Sequence, residues 1–265
     1  MVAVNDISSI CCDLDGTLLD SKKYIGDLSL TQIARLKRLG KRIVLVSGRH
    51  YKEIAPYVMQ LKLTDRDYVI SCDGQYVHYI DGKVIWKNDF LTRRDIKYVL
   101  SCVEKYDNIQ LITERCDYVF SSSFRKVFGT IRHRNRTRYI LQQSIFLPNK
   151  IEKIICYEDL IPKEIECLKS NEQLNIVHYE TENKYDILPA KVNKYVAIRE
   201  LFCLINEDLS QSLYFGDAIN DIECFKHLSH TIAVENASKE IKRLAKYGTK
   251  SNDEDGVGMW LQNIE

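Results

Sequence analysis

The stretch ICCDLDGTLLD, Ile10 to Asp20, carries more of this chain's fold and chemistry than any other eleven residues. An apolar run ends in Asp13. Two residues later comes a second acid, Asp15, and then Gly16-Thr17, a pair that lets the chain turn. Two carboxylates so close repel each other, so a chain that only needed a turn would do better with one acid. The apolar run reads as a buried strand. The acids then stand at its carboxyl end, where open parallel sheets bind ligands.

Downstream, the pattern repeats. Ser29 to Leu39 has Leu30, Ile33, Ala34 and Leu36 at helical spacing and stops at Gly40, as a helix with a C-terminal glycine does. RIVLV (Arg42 to Val46) reads as a second strand, Tyr51 to Leu61 as a second helix, and DYVISC (Asp67 to Cys72) as a third strand. Strand, helix, strand, helix, strand implies right-handed crossovers and a parallel sheet. From about Gln75 the text changes to short strands and turns, with Asp81-Gly82 as a hairpin turn between QYVHYI and KVIWKN. Helical patches at Thr92 to Lys105 and Pro162 to Ser170 are interleaved with a strand at KIICY (Lys153 to Tyr157). The alternating pattern resumes with a helix at Asn193 to Ile205, strands at Ser212 to Phe215 and Thr231 to Val234, and helices at Asp221 to Lys226 and Lys239 to Lys246. The expected organisation is an α/β, Rossmann-like parallel-sheet core from residues 1–80 and 184–265, interrupted by an α+β domain over 81–183.

Composition narrows the function. A chain of 265 residues with 45% hydrophobic and 28% charged residues has the make-up of a globular enzyme. A formal charge of +1 gives no global field for nucleic acid or membrane surfaces. No apolar run approaches the roughly 20 residues of a membrane span, and Met1 to Ser9 lacks a signal peptide's basic start. Nine cysteines without repeated spacing or a CxxC pair suit reduced thiols in a cytoplasm, not a disulfide framework or structural zinc. Nothing in the sequence shows an oligomer, and a monomer is the default expectation.

Four polar clusters follow expected strands: Asp13/Asp15, Ser47-Gly48-Arg49, Asp73-Gly74, and Gly216-Asp217 with Asn220-Asp221. One cluster alone reads as turn chemistry; four at one rim do not. Asp13, Asp15, Asp217 and Asp221 bring carboxylates together, which calls for a cation, and hard oxygen donors point to Mg²⁺. With Mg²⁺ the natural substrate is another anion, above all a phosphoryl group. Ser47 and the backbone near Gly48 offer donors for it, and Lys191 or Lys194 offers a charge. Helix capping is the competing reading for Asp221. The period-two run Arg132, Arg134, Arg136 and Arg138 reads as a solvated face or loop, or else as a reach toward a second anionic group of the substrate.

DLDGTLLD, VSGR, KVNKYVAIRELF and FGDAINDIECF resemble, in order and spacing, the four motifs of the haloacid dehalogenase-like phosphohydrolases. The insertion between the second and third motifs, and the ending AVENASKEIKRLAKYGTKSNDEDGVGMWL, are similar to the Cof-like branch, which carries a cap domain there. The resemblance implies a phosphatase with Asp13 as nucleophile through an aspartyl-phosphate and Asp15 as general acid, then base. It implies Mg²⁺ on Asp13, the main-chain carbonyl of Asp15 and Asp217, with Asp221 either a ligand or a partner behind the ligands. It implies Ser47, Gly48 and Lys194 around the phosphoryl group, Asn220 orienting the phosphate or Lys194, and Asp73, Gly74 and Arg49 at the cap entrance. Asp73 stands where the branch has asparagine, which bears on substrate choice. The expected substrate is a small phosphorylated metabolite, a sugar phosphate or phosphorylated cofactor. Phosphomutase-type transfer and a catalytically silent binding or regulatory protein are the other readings.

Overall fold

A computed structural model describes residues 7–103, 109–120, 138–157 except 142–147, 160–179 and 182–264, with only the backbone described at 138–141. The chain divides into two compact units, Met1–Asn88 with Asn193–Glu265, and Asp89–Val192.

In the first unit the apolar runs become strands because each is buried on both sides. These are β1 (Ser9–Asp13), β2 (Arg42–Val46) and β3 (Tyr68–Ser71), buried at every position, followed by β4 (Tyr76–Tyr79) and β5 (Val84–Lys87). The second unit supplies β6 (Ile109–Ile112), β7 (Asp117–Phe120), β8 (Arg138–Leu141), β9 (Lys153–Cys156), β10 (Leu174–Tyr179) and β11 (Lys184–Pro189). The chain then returns to the first unit for β12 (Ser212–Gly216), β13 (His230–Ala233) and β14 (Tyr247–Gly248). The first sheet has the order β14-β13-β12-β1-β2-β3-β4-β5, parallel from β14 to β3, with β4 and β5 antiparallel at one edge. β1 is central, and Cys12 stands in register with both Leu45 and Phe215. Asp13 therefore ends a strand paired on both sides.

Helices α1 (Asp27–Arg38) and α2 (Tyr51–Gln60) fill the first two crossovers. In α1 the expected Ile33 and Leu36 are buried, whereas Ala34 is exposed. The helix starts two residues earlier than its apolar spacing suggests, because Asp255 satisfies its free amides. Leu28 N–H donates to Asp255 Oδ2 at 2.8 Å, Ser29 N–H to Oδ1 at 3.2 Å, and the Ser29 hydroxyl also bonds that carboxylate.

The second unit holds α3 (Arg93–Cys102) and α4 (Pro162–Lys169) with a sheet ordered β10-β11-β9-β6-β7-β8 around its own core. The joins differ from the expected 80/81 and 183/184. The Asp81-Gly82 turn joins β4 to β5 inside the first sheet, and β11 pairs with β9 and β10 in the second. Arg132, Arg134 and Arg136 lie outside the described residues, and Arg138 opens β8.

The expectation of wholly reduced thiols is not met. Cys102 on α3 and Cys167 on α4 form a disulfide with Cα atoms 5.6 Å apart, across 65 residues of sequence. Spacing alone does not reveal a pair made by helix packing. The remaining seven cysteines are free. Alkylation of the denatured protein without reductant should therefore modify seven thiols by intact mass; modification of all nine would remove the bond.

After the second unit come α5 (Lys194–Leu204), α6 (Ile222–His227), α7 (Lys239–Leu244) and α8 (Gly256–Leu261). Among the described residues, no helix is long and apolar enough to cross a membrane.

Candidate active site

Asp13 closes β1 and is buried, 4% exposed. Lys194, the first residue of α5, is fully buried and donates from Nζ to Asp13 Oδ1 and to Asp221 Oδ1, both at 2.6 Å. α5 begins at this point because the Asn193 side chain accepts from Val196 N–H at 2.9 Å, a cap that fixes Lys194 in the first turn. Gly74 permits the approach. Its φ is +95°, and a Cβ there would run into the Asn193 carbonyl. Lys191, the rival candidate from sequence, is exposed.

Asp221 is tied on every side. Tyr214 Oη donates to Oδ1 at 2.6 Å, and the N–H groups of Asp217 and Ala218 donate to Oδ2 at 3.0 Å each. The carboxylate makes no cap bond to the helix that follows it; the main-chain N–H groups it takes belong to the loop before it. Asp217 Oδ1 accepts from the Thr17 hydroxyl at 3.0 Å, and Gly16, at φ +78°, leaves the room that a side chain would take from Asp217. Carboxylate oxygens of Asp13, Asp217 and Asp221 all lie within 4.8 Å of one another.

The electrostatics follow from burial. Burial pushes the Asp13 carboxyl well above the usual carboxylate range; Lys194 pulls it down, while Asp221 and Asp217 push it further up. Asp217 is pushed up to about 7, first by burial and then by Asp221. Burial disfavours the charge on Lys194, yet Asp13, Asp221 and Asp73 together hold it well above the ordinary lysine value. Three carboxylates facing one buried ammonium suit a hard divalent cation: the donors are oxygens, they converge, and two of them resist ionisation without further positive charge.

Ser47, buried after β2, accepts at Oγ from Arg49 N–H at 3.2 Å, and its carbonyl accepts from Asp73 N–H at 3.1 Å. Gly48 lies under Asp73: a Cβ there would stand 2.7 Å from Asp73 Oδ1. Asn220 Nδ2 donates to Asp73 Oδ1 at 3.0 Å. The sequence places Asn220 on the phosphoryl group or Lys194; the structure places it on Asp73.

Asp15 is the expected site residue that does not join the cluster. Its carboxylate takes a two-pronged hydrogen bond from Arg49 and one from Lys23, and these lower its pKa against the opposing effect of burial. Thr17, Lys23 and Tyr214 were not foreseen. A buried tyrosine on a strand needs a partner for its hydroxyl, which is the signal Tyr214 carried; Lys23 carried none.

With this geometry in view, comparison with known proteins decides the family. The family model of haloacid dehalogenase-like hydrolases matches residues 10–261. The chain belongs to that family. Among curated relatives, it is 24% identical over 261 residues to the putative phosphatase YkrA of Bacillus subtilis, covering 98% of each chain. It is 24% identical over 263 residues to the 5-amino-6-(5-phospho-D-ribitylamino)uracil phosphatase YitU of the same organism, covering 96% of each. Its fold matches a phosphatase of the haloalkanoate superfamily from Bacteroides thetaiotaomicron with a TM-score of 0.83 at 19% identity, over 97% and 95% of the two chains.

Proposed function

We propose that this enzyme is an Mg²⁺-dependent phosphatase that hydrolyses a small phosphorylated metabolite through a phosphorylated Asp13. That it is a phosphatase rests on its family and its named relatives. The finer reading is carried by one observation, the buried ion triad Asp13–Lys194–Asp221 beside Asp217.

Asp13 attacks phosphorus while the bond to the leaving oxygen breaks, and Asp15 delivers the proton that oxygen needs. Water then attacks the phosphorus while its bond to the Asp13 oxygen breaks, Asp15 accepts the water proton, and phosphate leaves with the Asp13 carboxylate restored. Lys194 holds Asp13 in line; the Ser47 hydroxyl and the Gly48 N–H bind the phosphoryl oxygens, and Asn220 braces Asp73 beside them. Asp13, Asp217 and the main-chain carbonyl of Asp15 would hold Mg²⁺, with Asp221, whose oxygens are taken by Lys194, Tyr214 and two main-chain N–H groups, bracing them from behind; the ion when bound neutralises charge shared by the carboxylates and the phosphate. Asp73 and Gly74 are buried rather than open to an entrance, Arg49 is part-buried, and discrimination among substrates falls to the inserted unit in this reading. YitU is named for a phosphorylated ribityl compound, which fits the class of sugar phosphates and phosphorylated cofactors.

A screen of phosphorylated metabolites should show phosphate release that requires Mg²⁺. Transfer to a second sugar without free phosphate would make the enzyme a mutase, and silence across the screen would leave a binding protein.

Metal binding should also depend on pH. Asp217 titrates near 7 in the folded protein and near 3.9 in an unfolded chain. A raised carboxyl pKa contributes stability that is present below the unfolded value and lost as pH rises through the folded one. The metal-free protein should therefore lose stability from about pH 4 to about pH 7, while Mg²⁺, which needs the carboxylate ionised, binds better as pH rises. The increase in Tm caused by Mg²⁺ should be larger at about pH 8 than at about pH 5.5. An equal increase at both would show that Asp217 is not a ligand.

A further inference from the structure

The carboxylate of Asp15 is gripped from two sides. Arg49 forks onto it, Nε donating to Oδ2 at 2.6 Å and one terminal nitrogen to Oδ1 at 2.5 Å, and Lys23 Nζ donates to Oδ1 at 2.7 Å. Arg49 is itself braced. Its other terminal nitrogen donates to Tyr57 Oη at 3.3 Å, and its guanidinium carbon lies 5.5 Å from the Tyr57 ring centroid. Tyr57 Oη in turn donates to the main-chain carbonyl of Lys23 at 3.2 Å. One hydroxyl thus touches both arms of the grip. A planar fork fixes direction in a way that a point charge does not.

The held carboxylate is not one of the three that converge within 4.8 Å. A group that protonates a leaving oxygen must come within hydrogen-bond reach of it. Arg49 and Lys23 take three of the roughly four acceptor positions of this carboxylate and fix its direction, so turning it onto a leaving oxygen requires the fork to open. Resting on the reading of Asp15 as the proton donor, we propose that Tyr57 is a positioning residue which, through Arg49 and Lys23, parks Asp15 away from the reacting centre. Attack on substrates with poor leaving groups then begins with release of that grip.

The readout is leaving-group selectivity in kcat/KM, which reports the first phosphoryl transfer and not the later hydrolysis. An alkyl phosphate such as β-glycerol phosphate needs its leaving oxygen protonated; p-nitrophenyl phosphate does not. Tyr57→Phe removes only the hydroxyl. It should raise kcat/KM for the alkyl ester by about threefold, the scale of a weak polar contact, and leave the aryl ester within about twofold. Arg49→Lys keeps the charge, loses the fork and should raise the alkyl-to-aryl ratio in the same direction. Asp15→Asn is the control and should lower the alkyl ester's kcat/KM far more than the aryl ester's. Equal losses in Asp15→Asn would overturn the proton-donor reading itself. A selective Asp15→Asn with an unchanged or lowered ratio in Tyr57→Phe and Arg49→Lys would overturn the parking alone.

Discussion

Asp13→Asn should lose at least about 10⁴-fold in kcat with p-nitrophenyl phosphate, the scale seen when a nucleophile is removed, and should do so without losing stability. The substitution keeps the size of the side chain and leaves an oxygen able to accept from Lys194 Nζ. The native carboxyl is held above its usual range first by burial and also by Asp221 and Asp217. An uncharged amide at that place relieves the repulsion, so the unfolding midpoint without metal should be unchanged or higher. A merely structural Asp13 would give the opposite pair of results, preserved turnover and a lowered midpoint.

Lys194→Met should harm both properties. Methionine follows the lysine stem but leaves Asp13 and Asp221 buried without their shared ammonium. Breaking a buried pair from one side costs about 3–5 kcal/mol, and chemical denaturation at about pH 8 in a chelator should show a loss of that order. The loss should shrink as pH falls and protons neutralise the exposed charge deficit, which distinguishes it from a packing defect. Turnover should drop about a thousandfold, the effect of removing a preorganised charge from a site. A Lys194→Met protein as stable as the parent at every pH would mean that the triad does not form in solution.

Much of this was legible before any coordinates. β1, β2 and β3 are short apolar runs buried on both faces, and such runs declare themselves without knowledge of their neighbours. The candidate site was legible because its parts sit at strand ends and helix starts. Asp13, Lys194, Asp217 and Asp221 converge as the spacing of the motifs implies.

What escaped the sequence depends on tertiary pairing. Lys184–Pro189 looks like the start of the returning core, yet its partners are β9 and β10, and no local pattern states which sheet a strand will join. Asp255 caps α1 from more than two hundred residues away. The Cys102–Cys167 bond likewise follows from how two helices pack. Asp15 shows the same limit at the level of one side chain. Its position after β1 was plain, but the direction of its carboxylate depends on Arg49 and Lys23, which the spacing to Asp13 does not encode.

In the proposed mechanism Asp13 carries the phosphoryl group. Acid quenching of the Mg²⁺-loaded enzyme during turnover of p-nitrophenyl phosphate, followed by peptide mass spectrometry, tests it directly. A phosphorylated peptide whose modification maps to Asp13 should be found, absent when Mg²⁺ is withheld and absent from Asp13→Asn. A phosphoryl group mapped to another residue, or rapid phosphate release by Asp13→Asn, would contradict that role of Asp13.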